Sequence, residues 1–467
     1  MLFTELRFLP FLLLTFAVHW SLRSNRARKI WLLICSYAFY AGWDWRFLSL
    51  ILLSTAVDSV AGKRIHASED PTVRRRWLRF SLASNLGILG IFKYFDFFVE
   101  SASSLLAFLG LPASMPTLEV LLPVGVSFYT FQTLSYSLDI YRRKLAPCKG
   151  VLDLALYVGF FPQLVAGPIV RAKDFLPQLR SSTSLSKVDL RACLALMFIG
   201  FFKKAVLSDN VSPVADDFFA DPSNYSALGA WTGMAMFSIQ LYCDFSGYSD
   251  LAIGTAGLLG YQLPQNFDFP YLATNVQAFW RRWHMTLSTW VHDYLYIPLG
   301  GSRGSKLFRY RNTLLSMTLI GLWHGAAWNF VFFGVYHGVM LVAYLEFRER
   351  WPAPSQSRPW LDVCSAIFTF LIVCISMTFF RSTDLTNLQQ VLGALFVPGQ
   401  GTAWHGLGPL AVFAAAGFAH LFWSRYPLEK MLQRPPDWAF AAACGVLIPV
   451  LWSLQNGAVQ PFLYFQF

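Results

Sequence analysis

The chain has 467 residues, 55% hydrophobic and only 13% charged, with a net charge of +11 and a mean hydropathy of +0.45. Soluble domains carry about 25% charged residues, and apolar runs of roughly 17 to 25 residues recur here, so the composition excludes a soluble globular protein and predicts an all-α, polytopic membrane protein. The basic residues sit in short loops between apolar runs, which is the cytoplasmic-loop bias of membrane proteins and not a nucleic-acid footprint.

Taken in order, the first segment is Phe8–Leu22, a retained helix, followed by the basic RSNRARK. That flank puts the loop in the cytoplasm and the N-terminus outside. Ile30–Gly42 and Leu48–Ala61 follow, then a basic loop with Lys63, Arg64, Arg74, Arg75, Arg76 and Arg79. Phe80–Phe98 is the fourth segment and Val120–Leu138 the fifth, ending at YRRK. Leu152–Val170 has basic residues on both sides and is broken by Pro162, Gly167 and Pro168, so it reads as re-entrant. Cys193–Val206 leads to an acidic loop with Asp209, Asp216, Asp217 and Asp221, placed outside. The seventh segment, Ala227–Gly260, contains YCDFSGYSD, where Ser246, Gly247 and Ser249 are expected to break the helix. His284–Leu299 lies between Arg281–Arg282 and Arg303–Arg311 and is a second re-entrant candidate. The remaining segments are Asn312–Ala327, Phe330–Leu345, Val363–Phe380, Leu407–Trp423 and Trp438–Leu454. The sum is about 11–12 transmembrane helices plus re-entrant pieces, in one membrane domain over residues 1–467.

The stretch from Trp280 to Gly338 holds four of the chain's eight histidines, His284, His292, His324 and His337. Ionisable groups at membrane depth are costly and mark function. His324 follows Asn312 by twelve residues, which places it about 18 Å into the core, past the midplane. Small neighbours at Gly325, Ala326 and Ala327 are expected to leave room for a substrate, with Trp323 and Trp328 as walls. Histidine is the natural general base near neutral pH; satisfying a neighbouring carbonyl is the competing structural role. His284 follows Arg281, Arg282 and Trp283, a cationic cluster that suits a phosphate-bearing donor or a snorkelling basic belt. His292 and Asp293 are adjacent, so on a helix their side chains diverge and are expected not to pair; an arginine is the expected partner of Asp293. Asp244 and Asp250 serve either as a structural polar knot or as pore lining, with Ser246 beside them. The histidines lack the close HxxH spacing of a di-iron site and no metal is expected. GGSRGS at Gly300–Ser305 follows no strand and reads as a loop. The seven cysteines form no CxxC pair and read as small buried hydrophobes.

These elements resemble the membrane-bound O-acyltransferase (MBOAT) family, in the bacterial branch typified by the alginate O-acetyltransferase membrane subunit. The matching pieces are SNLGILGIFKYFDFF (Ser84–Phe98), LPVGVSFYTFQTLSYSLDIYR (Leu122–Arg142), FFPQLVAGPIVR (Phe160–Arg171), YCDFSGYSDLAIG (Tyr242–Gly254), NFDFPYLATNVQAFWRRWHMTLSTW (Asn266–Trp290), DYLYIPLGG (Asp293–Gly301), LWHGAAWNFVFFGVYHG (Leu322–Gly338) and the ending PFLYFQF. The resemblance implies a ring of helices around a central funnel or tunnel. It implies His324 as the catalytic histidine and His284 as the second functional one. It also implies an acyl group, usually acetyl from acetyl-CoA in the cytoplasm, passed outward to an exopolysaccharide or cell-wall glycan, often with a periplasmic SGNH/esterase-like partner. Two departures stand out: His292 replaces an arginine usual before DYLYIPLGG, and Phe333 replaces a common tryptophan. Neither is expected to touch the two key histidines. The rivals are D-alanyl transfer from a carrier protein, and a glycan or lipid-intermediate transporter. Transporters often carry internal repeats, and none is evident.

Overall fold

A computed structural model of the chain describes residues 1–112, 116–118, 121–164, 167–181, 183–352, 358–397, 401–427, 431, 434–455, 460 and 462–463. Val120, Val165, Ala166, Pro461 and the final YFQF, all within segments or motifs named above, lie outside them. Among the described residues the structure is helical, and its only bridge is an isolated pairing of Tyr225 with Ala403. Among the described residues, five helical stretches are long and apolar enough to cross a membrane: Asn25–Ala67, Pro71–Phe108, Trp328–Arg350, Pro359–Arg381 and Leu407–Arg425. The protein is an all-α, multi-pass membrane protein, and its helices fall into two compact units.

Unit one comprises Met1–Cys193 and Ala252–Pro264. It contains α1 (Phe8–Ser21), α2 (Asn25–Asp44), α3 (Leu48–Ala67), α4 (Pro71–Leu89), α5 (Phe95–Phe108), α6 (Val126–Tyr141), α7 (Val151–Gly159), α8 (Phe161–Leu164) and α9 (Ala172–Arg180). Asp70 caps α4 by accepting from Thr72 N, and Pro71 sits in the first turn, where no N–H is needed. The core joins an aromatic cluster of Phe3, Phe8, Phe39 and Phe161 to a buried polar network. In that network Asp58 of α3 accepts from Ser137 Oγ of α6 at 3.0 Å and Asn85 Nδ2 of α4 at 3.1 Å. A network that satisfies its members locks three apolar helices into one register. The broken Leu152–Val170 stretch is α7 and α8, of nine and four residues, both too short to cross a bilayer.

Unit two comprises Leu194–Leu251 and Gln265–Phe467. Its helices, wholly or in larger part, are α10 (Leu190–Phe201), α11 (Asp209–Ala220), α12 (Ala227–Leu258), α13 (Val276–Trp280), α14 (Met285–Val291), α15 (Lys306–His324), α16 (Trp328–Arg350), α17 (Pro359–Arg381), α18 (Leu385–Phe396), α19 (Leu407–Arg425) and α20 (Asp437–Ser453). Two expectations are corrected here. The helix through YCDFSGYSD is unbroken over 32 residues. Its glycine serves close packing instead: a Cβ on Gly247 would meet Gly200 O at 2.7 Å, and one on Gly200 would meet Gly247 O at 2.7 Å. The acidic loop after the sixth segment is largely helix α11, and its Asp209 is buried. GGSRGS is a loop, with Gly300, Gly301 and Gly304 all at positive φ. Ser305 then caps α15 by accepting from Phe308 N.

Asp244 and Asp250 have ammonium partners. Phe202–Ser208 is a π-helical turn, and it aims two consecutive lysines at two carboxylates of α12. Lys203 Nζ lies 2.7 Å from Asp250 Oδ2, and Lys204 Nζ lies 2.8 Å from Asp244 Oδ1 and 2.7 Å from Asp209 Oδ1. Asp244 also accepts from Leu463 N at 2.8 Å. Both aspartates are thus ion-paired within the helix packing.

Candidate active site

Helices α15 and α16 form a tight hairpin. A Cβ on Gly321 would lie 2.1 Å from Phe330 O, and one on Gly334 would lie 2.4 Å from Met317 O. Only glycine permits that approach, and it brings His324 and His337 into one place. His324 is the last residue of α15, since Gly325 is already extended (φ −155°, ψ 151°). His337 lies on α16, one turn after Phe333.

A cavity is lined by His324, His337, Trp280, Trp283, Phe333 and Phe380, among others. The His324 ring is caged by Trp323, Phe333 and Phe380, with centroids at 5.1, 5.7 and 5.4 Å. His337 packs edge-on against Phe333 at 4.7 Å and Trp280 at 5.0 Å. The indole N–H of Trp280 donates to His337 Nδ1 at 3.3 Å. The walls are apolar, so charge developing here would find little water and strong fields.

Three expectations about this site are corrected. Trp328 is half exposed and lies against Phe332 in a tilted contact, so it does not wall His324. The space beside Gly325 belongs to Phe330, whose ring would meet a Cβ there at 2.1 Å, so it is not room for a substrate. Phe333 packs directly against His324, so this departure does touch a key histidine.

His284 is fully buried and left-handed (φ 43°, ψ 54°) just before α14. That backbone is uncommon outside glycine and needs outside support. Asn266 supplies it. Its Oδ1 accepts from Thr286 N at 3.3 Å and Thr286 Oγ1 at 2.9 Å, and it lies 3.1 Å from His284 Nδ1. A backbone N–H can only donate, so this amide atom is the oxygen, and His284 Nδ1 must carry the proton. Met285 N also donates to Asn266 O at 2.9 Å. His284 does not line the cavity. It reaches it through Trp323, whose ring lies 5.9 Å from His284 and 5.1 Å from His324.

The other expected residues are dispersed. Trp283 lines the cavity and stacks on Phe279 at 5.6 Å. Arg281 is exposed and Arg282 half-buried, both just past α13. Asp293 is half-buried, and its Oδ1 lies 2.8 Å from Nδ1 of the exposed His292. That corrects the expectation that these neighbours would not pair: Cβ directions diverge, but the rotamers of the two side chains bring their ends together at the start of the π-helical turn His292–Tyr296. Asp244 lines a second, polar cavity with Lys204, Asp209 and Gln240, and Ser246 is buried in α12. Sequence reading gave no role to Asn266, His337 or Lys204. For the two lysines of FFKKAV the signal was present, as charges inside an apolar run.

The chain matches the family model of the membrane-bound O-acyltransferase family over residues 148–383. It is 38% identical over 407 residues to the probable alginate O-acetylase AlgI of Azotobacter vinelandii, covering 86% of this chain and 79% of that protein. The chain belongs to the membrane-bound O-acyltransferase family. It is also 35% identical to the peptidoglycan O-acetyltransferase of Helicobacter pylori, over 78% of this chain and 73% of that one. Similarity to the teichoic acid D-alanyltransferase of Bacillus subtilis is lower, at 27% over 55% of this chain and 68% of that one. The activity of this MBOAT protein is O-acyl transfer.

Proposed function

We propose that this protein moves an acetyl group from acetyl-CoA in the cytoplasm to a hydroxyl on the far side of a bacterial inner membrane, for O-acetylation of an extracytoplasmic polysaccharide. The observation that carries the reading is the caged His324 in an apolar cavity, in a chain whose relatives over most of its length are named O-acetylases. His324 accepts the proton of the acceptor hydroxyl, the oxygen attacks the thioester carbonyl, and the carbon–sulfur bond breaks. The proton then passes to the departing thiolate.

The placement supports this route. Helix α15 has 19 residues, about 27 Å from end to end, and starts beside Arg303 and Lys306. With that basic end in the cytoplasm, His324 lies at the outer end, where an acceptor arrives. Arg281 and Arg282 are the cationic pair for the phosphates of the donor. His284 acts as a positioning residue through Trp323. The acceptor is a polysaccharide hydroxyl, or the serine of a periplasmic SGNH/esterase-like partner that relays the group.

The test is acyl transfer in proteoliposomes with labelled acetyl-CoA inside. Label on an added glycan or partner, lost in His324→Gln, is the expected result. Transfer that persists in His324→Gln removes the chemistry from this residue. Transfer of D-alanyl from a carrier protein in place of acetyl would overturn the donor.

A further inference from the structure

We propose that His337 is a second catalytic residue, whose Nε2–H donates a hydrogen bond to the thioester carbonyl oxygen while His324 activates the acceptor. The inference rests on the acyl-transfer reading above and goes beyond it. It assigns the polarising role to a residue inside the cavity, which His284 is not.

A tryptophan N–H donates and cannot accept. With Trp280 Nε1 3.3 Å from His337 Nδ1, that nitrogen must offer its lone pair. An imidazolium has no lone pair to offer, so His337 is held neutral with its proton on Nε2. Nδ1 is committed to the indole, and Nε2 is the polar atom left to meet a ligand in the cavity that His337 lines. The ring cannot easily turn: it lies parallel to Phe279, with an interplanar angle of 3°, and edge-on to Phe333 and Trp280.

His324 and His337 thus share one apolar cavity, separated by the Phe333 ring, which touches both. The reaction needs a base for the hydroxyl proton and a donor for the oxygen that gains negative charge. One histidine supplies each. As the acceptor oxygen bonds to the carbonyl carbon, the electron pair moves onto the carbonyl oxygen, against His337 Nε2–H. It returns when the carbon–sulfur bond breaks. His337 gives up no proton over the cycle, and the hydroxyl proton ends on the CoA thiol by way of His324. In an apolar site one such donor is worth about 10²–10³ in kcat.

The experiment compares wild type, His324→Gln, His337→Phe, His337→Gln and Trp280→Phe in proteoliposomes, reading kcat, KM for acetyl-CoA and thermal unfolding of each. Glutamine keeps an N–H near the position of Nε2; phenylalanine keeps the aromatic packing without a donor. The expected result is a fall of about 10²-fold or more in kcat for His337→Phe, with KM and unfolding near wild type, and recovery of at least part of that loss in His337→Gln. Trp280→Phe, which frees the tautomer, should lower kcat by several-fold. If His337→Phe keeps kcat within three-fold, or if its loss is matched by instability and not eased by glutamine, the proposal is overturned. Should His337→Phe fail to assemble, an unchanged kcat in Trp280→Phe overturns it. An unaffected His324→Gln defeats the underlying reading instead, whatever the His337 variants do.

Discussion

Asn266 Oδ1 lies 3.1 Å from His284 Nδ1 and also accepts from Thr286. This one amide holds both the tautomer of the histidine and the left-handed backbone that carries it. Removing the acceptor in Asn266→Ala should let the ring and Trp323 shift. Because a misplacement of about 1 Å can cost about 10²-fold in rate, kcat should fall by one to two orders of magnitude (about 10- to 100-fold). Steady-state transfer in proteoliposomes checks this, and an unchanged rate would show that His284 needs no such support.

Phe333 separates His324 from His337 and lines the cavity. Its size therefore sets how long an acyl group fits. Phe333→Leu should raise propionyl and butyryl transfer relative to acetyl, at a stability cost on the order of 1–2 kcal/mol. Phe333→Trp should do the reverse and keep acetyl transfer. A competition assay with mixed acyl-CoA donors reads the ratio directly; identical ratios in all three proteins would remove Phe333 from acyl selection.

Lys204 is buried between Asp209 and Asp244, with side chains 2–3% exposed. Lys204→Met would leave two carboxylates in the interior without their ammonium. Breaking a buried pair from one side costs about 3–5 kcal/mol, so unfolding in detergent should occur at clearly lower temperature. Adding Asp209→Asn and Asp244→Asn to Lys204→Met should recover part of the loss. Equal stability of wild type and the single variant would mean that the triad contributes nothing net.

Gly321 lets α15 and α16 touch. Alanine in a helix is ordinarily better than glycine by roughly 0.5–1 kcal/mol, but here its methyl would meet Phe330 O at 2.1 Å. A backbone oxygen cannot yield as a flexible side chain can, so the clash wins. Gly321→Ala should destabilise by about 1–3 kcal/mol and lower transfer, because the hairpin sets the distance from His324 to His337. A stabilised, fully active variant would contradict this packing.

The local readings that held are those that depend on near neighbours. The start of α1 at Phe8, the broken stretch after Leu152 and the loop at GGSRGS follow from apolar run length, proline and glycine. The readings that failed needed a partner distant in sequence. Ser246, Gly247 and Ser249 look like a helix break, yet α12 continues because Gly247 meets Gly200 from another helix. Gly325 looks like space until Phe330 fills it. His292 and Asp293 fail differently: Cβ geometry says they diverge, and rotamers bring them together.

By itself the sequence determined the class of this protein, its membrane-spanning character and the stretch in which four of its eight histidines gather. Hydropathy, charge bias and the cost of burying a histidine are properties of the chain that need no coordinates. Only the tertiary structure decided which histidines meet. His284 was expected in the donor path and sits behind Trp323, while His337, four residues after Phe333, shares the cavity with His324. The indole that sets the proton of His337 lies 57 residues away in the chain. The close approach of two helices at Gly321 and Gly334 completes the cavity. Such contacts depend on shape complementarity between distant segments, and periodicity along a single segment carries no record of it.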